Sequence, residues 1–506
     1  MVVGSSAALT PSIPTSKMAT IDASTTVNTS TTLASGREAL LGDRQIDVGV
    51  DGLGSSDTPK KGKASVASVA FVLLNTALGS GILGLPGAFS KAGMIGGIVL
   101  LVVTSVLAVI GVHLLCEVAD RVGRPASFYS CATAAAGSVA GVVIDILIAI
   151  NAFGSACSYL IVVGDVLPEV SDSFHNAPSY IVHSTGRTFW MLIALAIGAP
   201  LAYLRDLSAL AITAYVAFVC VVYISIVVAL FWLAPTTFPP CGPDANTTTT
   251  TFYTVDDESC QGGVENIGPI LNALDSLPIF IFAFTTNQNA ISITNELTRP
   301  TPRRVLLSTC IAMLLALLLY LLVGIGGYST YGDLVKSDIL KSYPEHATIA
   351  LIARVAIAFV VTTCYPMQMH PGRNSLMSLF VKFVPRPIIR RLGGPEGFPL
   401  LVLSTSILVA GSIGVALVVS SLGVMLTVIG AVCSTSVSFI VPGGCYMLLF
   451  KEKGWSAKRL LSLFMLILGS VIMPLCLVLT FLPKQKSVSG VEEESEAAAM
   501  LYSMWH

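Results

Sequence analysis

The sequence predicts an all-α, polytopic membrane protein. Of 506 residues, 54% are hydrophobic and only 11% charged, where soluble domains carry about a quarter charged residues. The apolar residues come in blocks, and a helix needs roughly 20 of them to cross a bilayer core of about 30 Å. The blocks are too long for barrel strands and lack their alternation. The formal net charge of −1 gives no pointer to nucleic acid.

Residues 1–64, rich in Ser, Thr, Ala and Gly, show no apolar segment behind a basic start. They are expected to be a disordered cytosolic tail, not a secretory signal. Eleven spans follow, near 66–88, 94–116, 134–166, 187–204, 207–233, 269–294, 305–327, 347–371, 399–420, 423–449 and 459–482. Residues 65–482 thus form one transmembrane domain. A short tail, 483–506, closes the chain on the non-cytosolic side, and its acidic residues Glu492, Glu493, Glu494 and Glu496 have no assigned role.

Lys and Arg concentrate on one side, as in Arg121, Arg124, Arg299, Arg303, Arg304, Arg390 and Arg391. The opposite side holds Lys91, Arg187, Lys336, Lys341, Lys484 and Lys486. The positive-inside rule then puts the N-terminus in the cytosol. The loop 234–268 faces the other way and carries an N-glycosylation sequon at Asn246. A second sequon, at Asn28, falls on the cytosolic side and is expected to stay unmodified. Of eleven cysteines, only Cys241 and Cys260 lie in a polar loop. An oxidising compartment favours a disulfide between them over two free thiols. The other cysteines sit in or beside apolar blocks and show no zinc spacing.

Two spans break the pattern. In the first, Gly79, Gly81 and Gly84 cluster mid-span, each costing a helix about 1 kcal/mol relative to Ala. The literal GxGxxG over residues 79–84 is not a dinucleotide fingerprint, because no strand precedes it. Close helix packing on small residues is one reading. A broken helix offering N–H groups to an anion is the preferred one. In the sixth span, Thr285-Thr286-Asn287-Gln288-Asn289 interrupts apolar sequence soon after Pro278. Polar groups in lipid must be satisfied or line a cavity; the alternative is a span that ends earlier. Broken helices opening two successive five-span sets predict a 5+5 inverted repeat, with the eleventh span an addition. Half-helix N-termini suit a carboxylate and unwound carbonyls suit an ammonium or cation. A ligand with both is an α-amino acid.

Several stretches, in order, carry a family likeness: Asn75–Leu85 (NTALGSGILGL), Gly154–Pro168 (GSACSYLIVVGDVLP), Leu277–Leu297 (LPIFIFAFTTNQNAISITNEL), Gly327–Pro344 (GYSTYGDLVKSDILKSYP) and Leu422–Pro442. Through them the chain resembles the amino acid/auxin permease family, whose members share the LeuT-like fold. The likeness covers about residues 65–482. It implies secondary active transport of amino acids, coupled to sodium or protons, with no other cofactor. It implies that Gly79, Ser80 and Gly81 bind the substrate carboxylate. Ala283, Phe284, Thr285, Thr286 and Asn287 would shape the opposite wall. Asn75 matches a family position linked to sodium, with Thr362 or Thr363 of the eighth span as its hydroxyl partner. The other reading of those threonines is a bond back to their own helix. The chain departs from relatives that carry Cys-His where it has Thr286-Asn287. An amide cannot titrate as an imidazole does, which tilts the expectation toward sodium.

Four ionisable residues fall within spans: Asp145, Asp275, Arg354 and His370. Asp145 would either pair with a cationic substrate side chain or hold a structural partner. Asp275 and Arg354 are candidates to pair with each other, and His370 to line the exit. No nucleophile–base set or phosphate loop suggests an enzyme. The expected partners are an amino acid and the lipid bilayer, in a plasma, vacuolar or lysosomal membrane; cargo and oligomeric state stay open. A receptor that senses amino acids through the same pocket, with little net flux, is the alternative function.

Overall fold

The structure, a computed structural model, describes residues 64–174, 178–204, 211–241, 260–419 and 421–481. Both sequons, Asn28 and Asn246, and the two expected tails, apart from Ala64, lie outside those residues. The helices run in the order α1 (Val66–Ala77), α2 (Gly81–Ala92), α3 (Met94–Val122), α4 (Phe128–Ala136), α5 (Ser138–Asp172), α6 (His183–Ala202), α7 (Ala211–Leu233) and α8 (Ile270–Ala283). They continue as α9 (Asn287–Asn295), α10 (Pro302–Tyr331), α11 (Thr348–Phe383), α12 (Arg386–Arg391), α13 (Phe398–Val418), α14 (Leu422–Ile429), α15 (Val441–Leu449) and α16 (Ala457–Phe481). Among the described residues the only β pairing is one bridge, Ala64 with Leu297.

Among the described residues, nine helical segments are long and apolar enough to cross a bilayer, and the bent pair α1–α2 makes a tenth. The apolar run of α6, Gly186–Ala202, is shorter, so a count of eleven requires admitting it. The third expected span, 134–166, is shifted. Gly137 sits at φ +84°, a conformation glycine accepts readily, and separates α4 from α5. Ser127 caps α4 through a reciprocal bond with Ser130, so α4 is a short helix of its own. Outward-facing side chains such as Val99, Val103 and Val106 on α3, and Leu307, Leu314 and Leu318 on α10, are exposed. That is the surface lipid would cover.

Span one bends by 59° between α1 and α2. Span six is interrupted over Phe284–Thr286 between α8 and α9. The two spans run antiparallel and are strapped together at both ends by backbone bonds. At the α1 end, Ala64 N donates to the Glu296 carbonyl and Thr298 N to the Ala64 carbonyl, at 2.9 and 3.0 Å. At the α2 end, Met94 and Ile95 N–H groups donate to the carbonyls of Glu265 and Asn266, and Gly268 N to that of Ala92. We call the α1 end the inner face and the α2 end the outer face. Span ten also departs from regular geometry, with two π-helical pieces, Gly430–Ser434 and Ser436–Ile440, between α14 and α15. Such widened turns recur at functional sites. A Cβ at Gly430 would stand 2.2 Å from the Pro278 carbonyl oxygen, so this piece packs directly on α8.

Candidate functional site

The breaks place four helix ends at the middle of the protein. The C-termini of α1 and α8 present carbonyls, and the N-termini of α2 and α9 present N–H groups that a helix cannot satisfy internally. Partial negative and partial positive charge therefore face one small volume. The gap is a cavity of about 10 Å³, room for about one water. Thr76, Ala77, Gly79, Ser155, Tyr159, Phe282, Thr285, Gln288 and Gln368 line it. None of these side chains carries a formal charge.

Glycine is required where it stands. A Cβ at Gly79 would lie 2.5 Å from the Tyr159 hydroxyl. One at Gly81 would lie 3.1 Å from Ala283 Cα. Ser80, fully buried, pairs with Ser158 at 2.7 Å. Ser158 already donates to the Ser155 carbonyl, so the Ser80 hydroxyl is the donor. Tyr320 of α10 joins the two breaks: its hydroxyl stands 2.6 Å from the Ala77 carbonyl oxygen and 3.0 Å from that of Ala283. Phe284 packs edge-on against its ring, centroids 5.2 Å apart.

A chain of buried polar groups borders the cavity. Ser434 donates to Asn151 Oδ1 at 3.1 Å, Asn151 Nδ2 to Gln288 Oε1, Gln288 Nε2 to Gln368 Oε1, and Gln368 Nε2 to Tyr159 Oη at 3.4 Å. All the amides point the same way, and the chain links span ten, α5, α9 and α11.

Gly79, Ser80, Gly81, Ala283, Phe284 and Thr285 thus gather at the breaks as the sequence implied. Thr285 also donates to the Ile281 carbonyl, 2.8 Å away. Thr286 is fully buried, and its hydroxyl has no hydrogen-bond partner. Asn287 turns from the cavity toward the Val437 and Ser438 carbonyls of span ten, 3.4 Å from each.

The expected ion pair of ligands is arranged differently. Thr362 and Thr363 both bond back into α11, Thr362 to the Ala358 carbonyl and Thr363 to those of Phe359 and Val360. Asn75 meets sulfur instead. Its Nδ2 lies 3.0 Å from Met367 Sδ, and Cys364 Sγ lies 3.8–3.9 Å from Asn75 Oδ1, the Asn75 carbonyl and the Leu78 carbonyl. One residue along a helix is a 100° turn, so Cys364 and not its neighbour Thr363 faces span one. Asp145 is not at the cavity. It sits two turns into α5, with Ser375, Ser378 and Lys382 of α11 near its carboxylate. Ser155 and Tyr159 lie about 15–20 Å further along the axis. Asp275 is paired with Lys91 at 3.2 Å and Arg354 with Glu169 at 2.8 Å, in place of the pairing expected between them. His370 is half-buried and lies 3.4 Å from Asn374.

Sequence reasoning missed Tyr159, Gln368 and Tyr320, and treated Gln288 only as part of a polar run. The signal available was their type: large side chains with polar tips inside otherwise apolar spans.

Cys241 and Cys260 face each other with their Cα atoms 5.8 Å apart, within the range a disulfide spans. Among the described residues no group of His, Cys, Asp or Glu could hold a metal ion.

The family model described as "Transmembrane amino acid transporter protein" matches residues 62–482. The chain is 32% identical over 423 residues to Vacuolar amino acid transporter 6 of Saccharomyces cerevisiae, covering 75% of this chain and 89% of that protein. It is 30% identical to Vacuolar amino acid transporter 5 of Schizosaccharomyces pombe, covering 82% and 94%. It is 24% identical to the mouse protein named Sodium-coupled neutral amino acid transporter 7, covering 82% and 86%. In fold it matches Mhp1, a nucleobase-cation-symport-1 family transporter solved in a closed conformation. The TM-score is 0.52 at 13% identity, over 88% of this chain and 99% of that one. The architecture is the LeuT-like one.

Proposed function

We propose that this chain, which belongs to the transmembrane amino acid transporter protein family, carries amino acids through the lipid by alternating access of the central cavity. One observation carries the reading. Four half-helix ends of both polarities converge beside a cavity lined by Gly79, Thr285 and Gln288. Backbone N–H groups there suit a carboxylate, and carbonyls suit an ammonium. Spans one and six, which carry these ends, are bound to each other by backbone bonds at both faces.

For the coupling ion we favour protons over sodium. Sodium prefers hard oxygen ligands. At Asn75 a thiol and a thioether occupy the position expected for threonine hydroxyls. The membrane we favour is vacuolar, in line with the names of the two yeast relatives.

The test is uptake of a panel of radiolabelled amino acids into proteoliposomes, with sodium replaced and pH varied on each side. Accumulation driven by an imposed pH gradient, indifferent to sodium, is expected. Sodium-dependent uptake lost in Asn75→Ala would reverse the choice of ion. Saturable binding without accumulation would replace the transporter by a receptor.

A further inference from the structure

Between α10 and α11 the chain folds inward at the outer face. Residues 335–347 include a short 3-10 turn, Ile339–Lys341. Ile339, Leu340 and Tyr343 are buried, and the turn packs against α2, α5 and α11. The stretch also reaches span ten: a Cβ at Gly423 would stand 3.2 Å from Ser337 Cβ. These contacts set it on the outer ends of α2, α5, α11 and span ten, where it is taken here as a lid.

Asp338 begins that turn and is fully buried. Its Oδ1 accepts from Leu340 N at 2.9 Å, while Oδ2 has no hydrogen-bond partner. The charges around it can be named element by element. From α5 come Asp165 and Glu169, from the lid itself Lys341. Both oxygens of Asp165 are engaged, by Arg187 of α6 at 3.6 Å and Lys341 at 3.4 Å. Glu169 is engaged by Arg354 of α11, which also donates to the carbonyls of Leu340, Tyr343, Pro344 and Glu345 in the lid. Lys336 and Glu345 of the lid act on Glu169. The one charged residue of α2, Lys91, is paired with Asp275, and α14 has none. The nearby cations therefore serve other carboxylates.

We propose that Asp338 is a proton-binding site of the outer lid, taking up a proton when the lid closes and releasing it when the lid lifts into water. It goes beyond the transport reading and rests on it only in taking the segment as a gate. The electrostatics agree. Burial, then the charge of Asp165, pushes the closed-state carboxyl from its ordinary 3.8 up to about 7. The lifted carboxyl, solvated, returns toward the ordinary value. A group with the higher pKa in the closed state makes closure most favourable at low pH. That advantage is lost as pH rises between about 4 and 7, and closure is insensitive above that.

The test reads the lid and not the flux. Ser337→Cys is introduced into the full chain in proteoliposomes, with the chain retaining Ser337 as background. Labelling by a membrane-impermeant maleimide is followed from pH 5 to pH 8, with and without Asp338→Asn. Dividing the two rates at each pH cancels the thiol's own titration. The ratio is expected to rise at least about tenfold between pH 5 and pH 7 and then level off. A flat ratio overturns the proposal. Should Asp338→Asn fail to fold, Asp165→Asn replaces it in the comparison. Removing that charge is expected to move the midpoint of lid opening to lower pH, and an unmoved midpoint overturns the proposal as well. Labelling needs no substrate, so a failure of the lid assignment is distinct from a failure of amino acid uptake.

Discussion

Two side chains decide whether the breaks can exist. Tyr320 supplies a donor to two carbonyls at the breaks, that of Ala77, which also accepts from Gly79 N, and that of Ala283. Tyr320→Phe takes the hydroxyl from both and leaves Ala77 only its bond from Gly79 N, at a cost of about 1–3 kcal/mol. The expected result is a lowered thermal melting point in detergent and uptake reduced at least about tenfold. An unchanged melting point would remove Tyr320 from this role. Tyr159 stands where a side chain on Gly79 would need to go. Gly79→Ala is therefore expected to abolish uptake, and Gly79→Ala with Tyr159→Phe to recover part of it, because the atom at 2.5 Å is gone. No recovery would show that the glycine is needed for backbone freedom alone. The glycines themselves were legible in the sequence, since a cluster of them in an apolar span has few explanations. Tyr159 and Tyr320 were not, because a tyrosine in a long apolar block does not announce which neighbour its hydroxyl meets.

The same limit explains the elements. The breaks in spans one and six follow from composition: Gly79, Gly81 and Gly84 in one, Pro278 and a polar run in the other. What composition leaves open is the rotation of each helix about its axis. In α11, apolar residues surround the helix, and no stripe tells Cys364 from Thr363. The span expected beside Asn75 does meet it, but through Cys364 and Met367, while Thr362 and Thr363 bond back to their own helix, the other reading offered for them. Asp145, mid-span in sequence, lies two turns from the start of α5 in space, beside Ser375, Ser378 and Lys382, where the structural reading of it belongs. The widened turns of span ten have no sequence signal of the kind glycine gives, yet they let Ser434 reach Asn151. The amide chain is a property of four elements together. Gln288→Leu cuts it in the middle and strands Asn151 Nδ2 and Gln368 Oε1. Uptake is expected to fall by an order of magnitude or more, while Gln288→Asn, shorter by one methylene, retains part of it. Equal activity of Leu and Gln at this position would reduce the chain to packing.

At the scale of the molecule, both faces combine backbone bonds with ion pairs, the outer through Arg354–Glu169 and the inner through Arg124–Asp120 and Lys458–Glu117. Arg354, buried on α11, ties Glu169 of α5 to four lid carbonyls. Arg354→Leu leaves those groups without their cation, and breaking a buried pair this way costs roughly 3–5 kcal/mol. A clear loss of melting temperature is expected, together with faster maleimide labelling of Ser337→Cys; labelling at the native rate would separate Arg354 from the lid. On the inner face, Arg124 reaches Thr294 and Asn295 of α9 at 3.1 Å each, near the Ala64–Leu297 bridge. Cysteines at Ala64 and Leu297, oxidised to a cross-link, are expected to leave uptake within about twofold of the reduced protein. A complete block, reversed by reductant, would mean that α1 swings away from α9 on its own.

Spans one and six form a frame fastened at its corners, with Ala64 against Glu296 and Thr298 below and Met94 and Ile95 against Glu265 and Asn266 above. A frame so fastened can swing but cannot gape. On the transport reading, a motion that keeps these bonds carries the two spans as one body, so whatever widens one rim narrows the other.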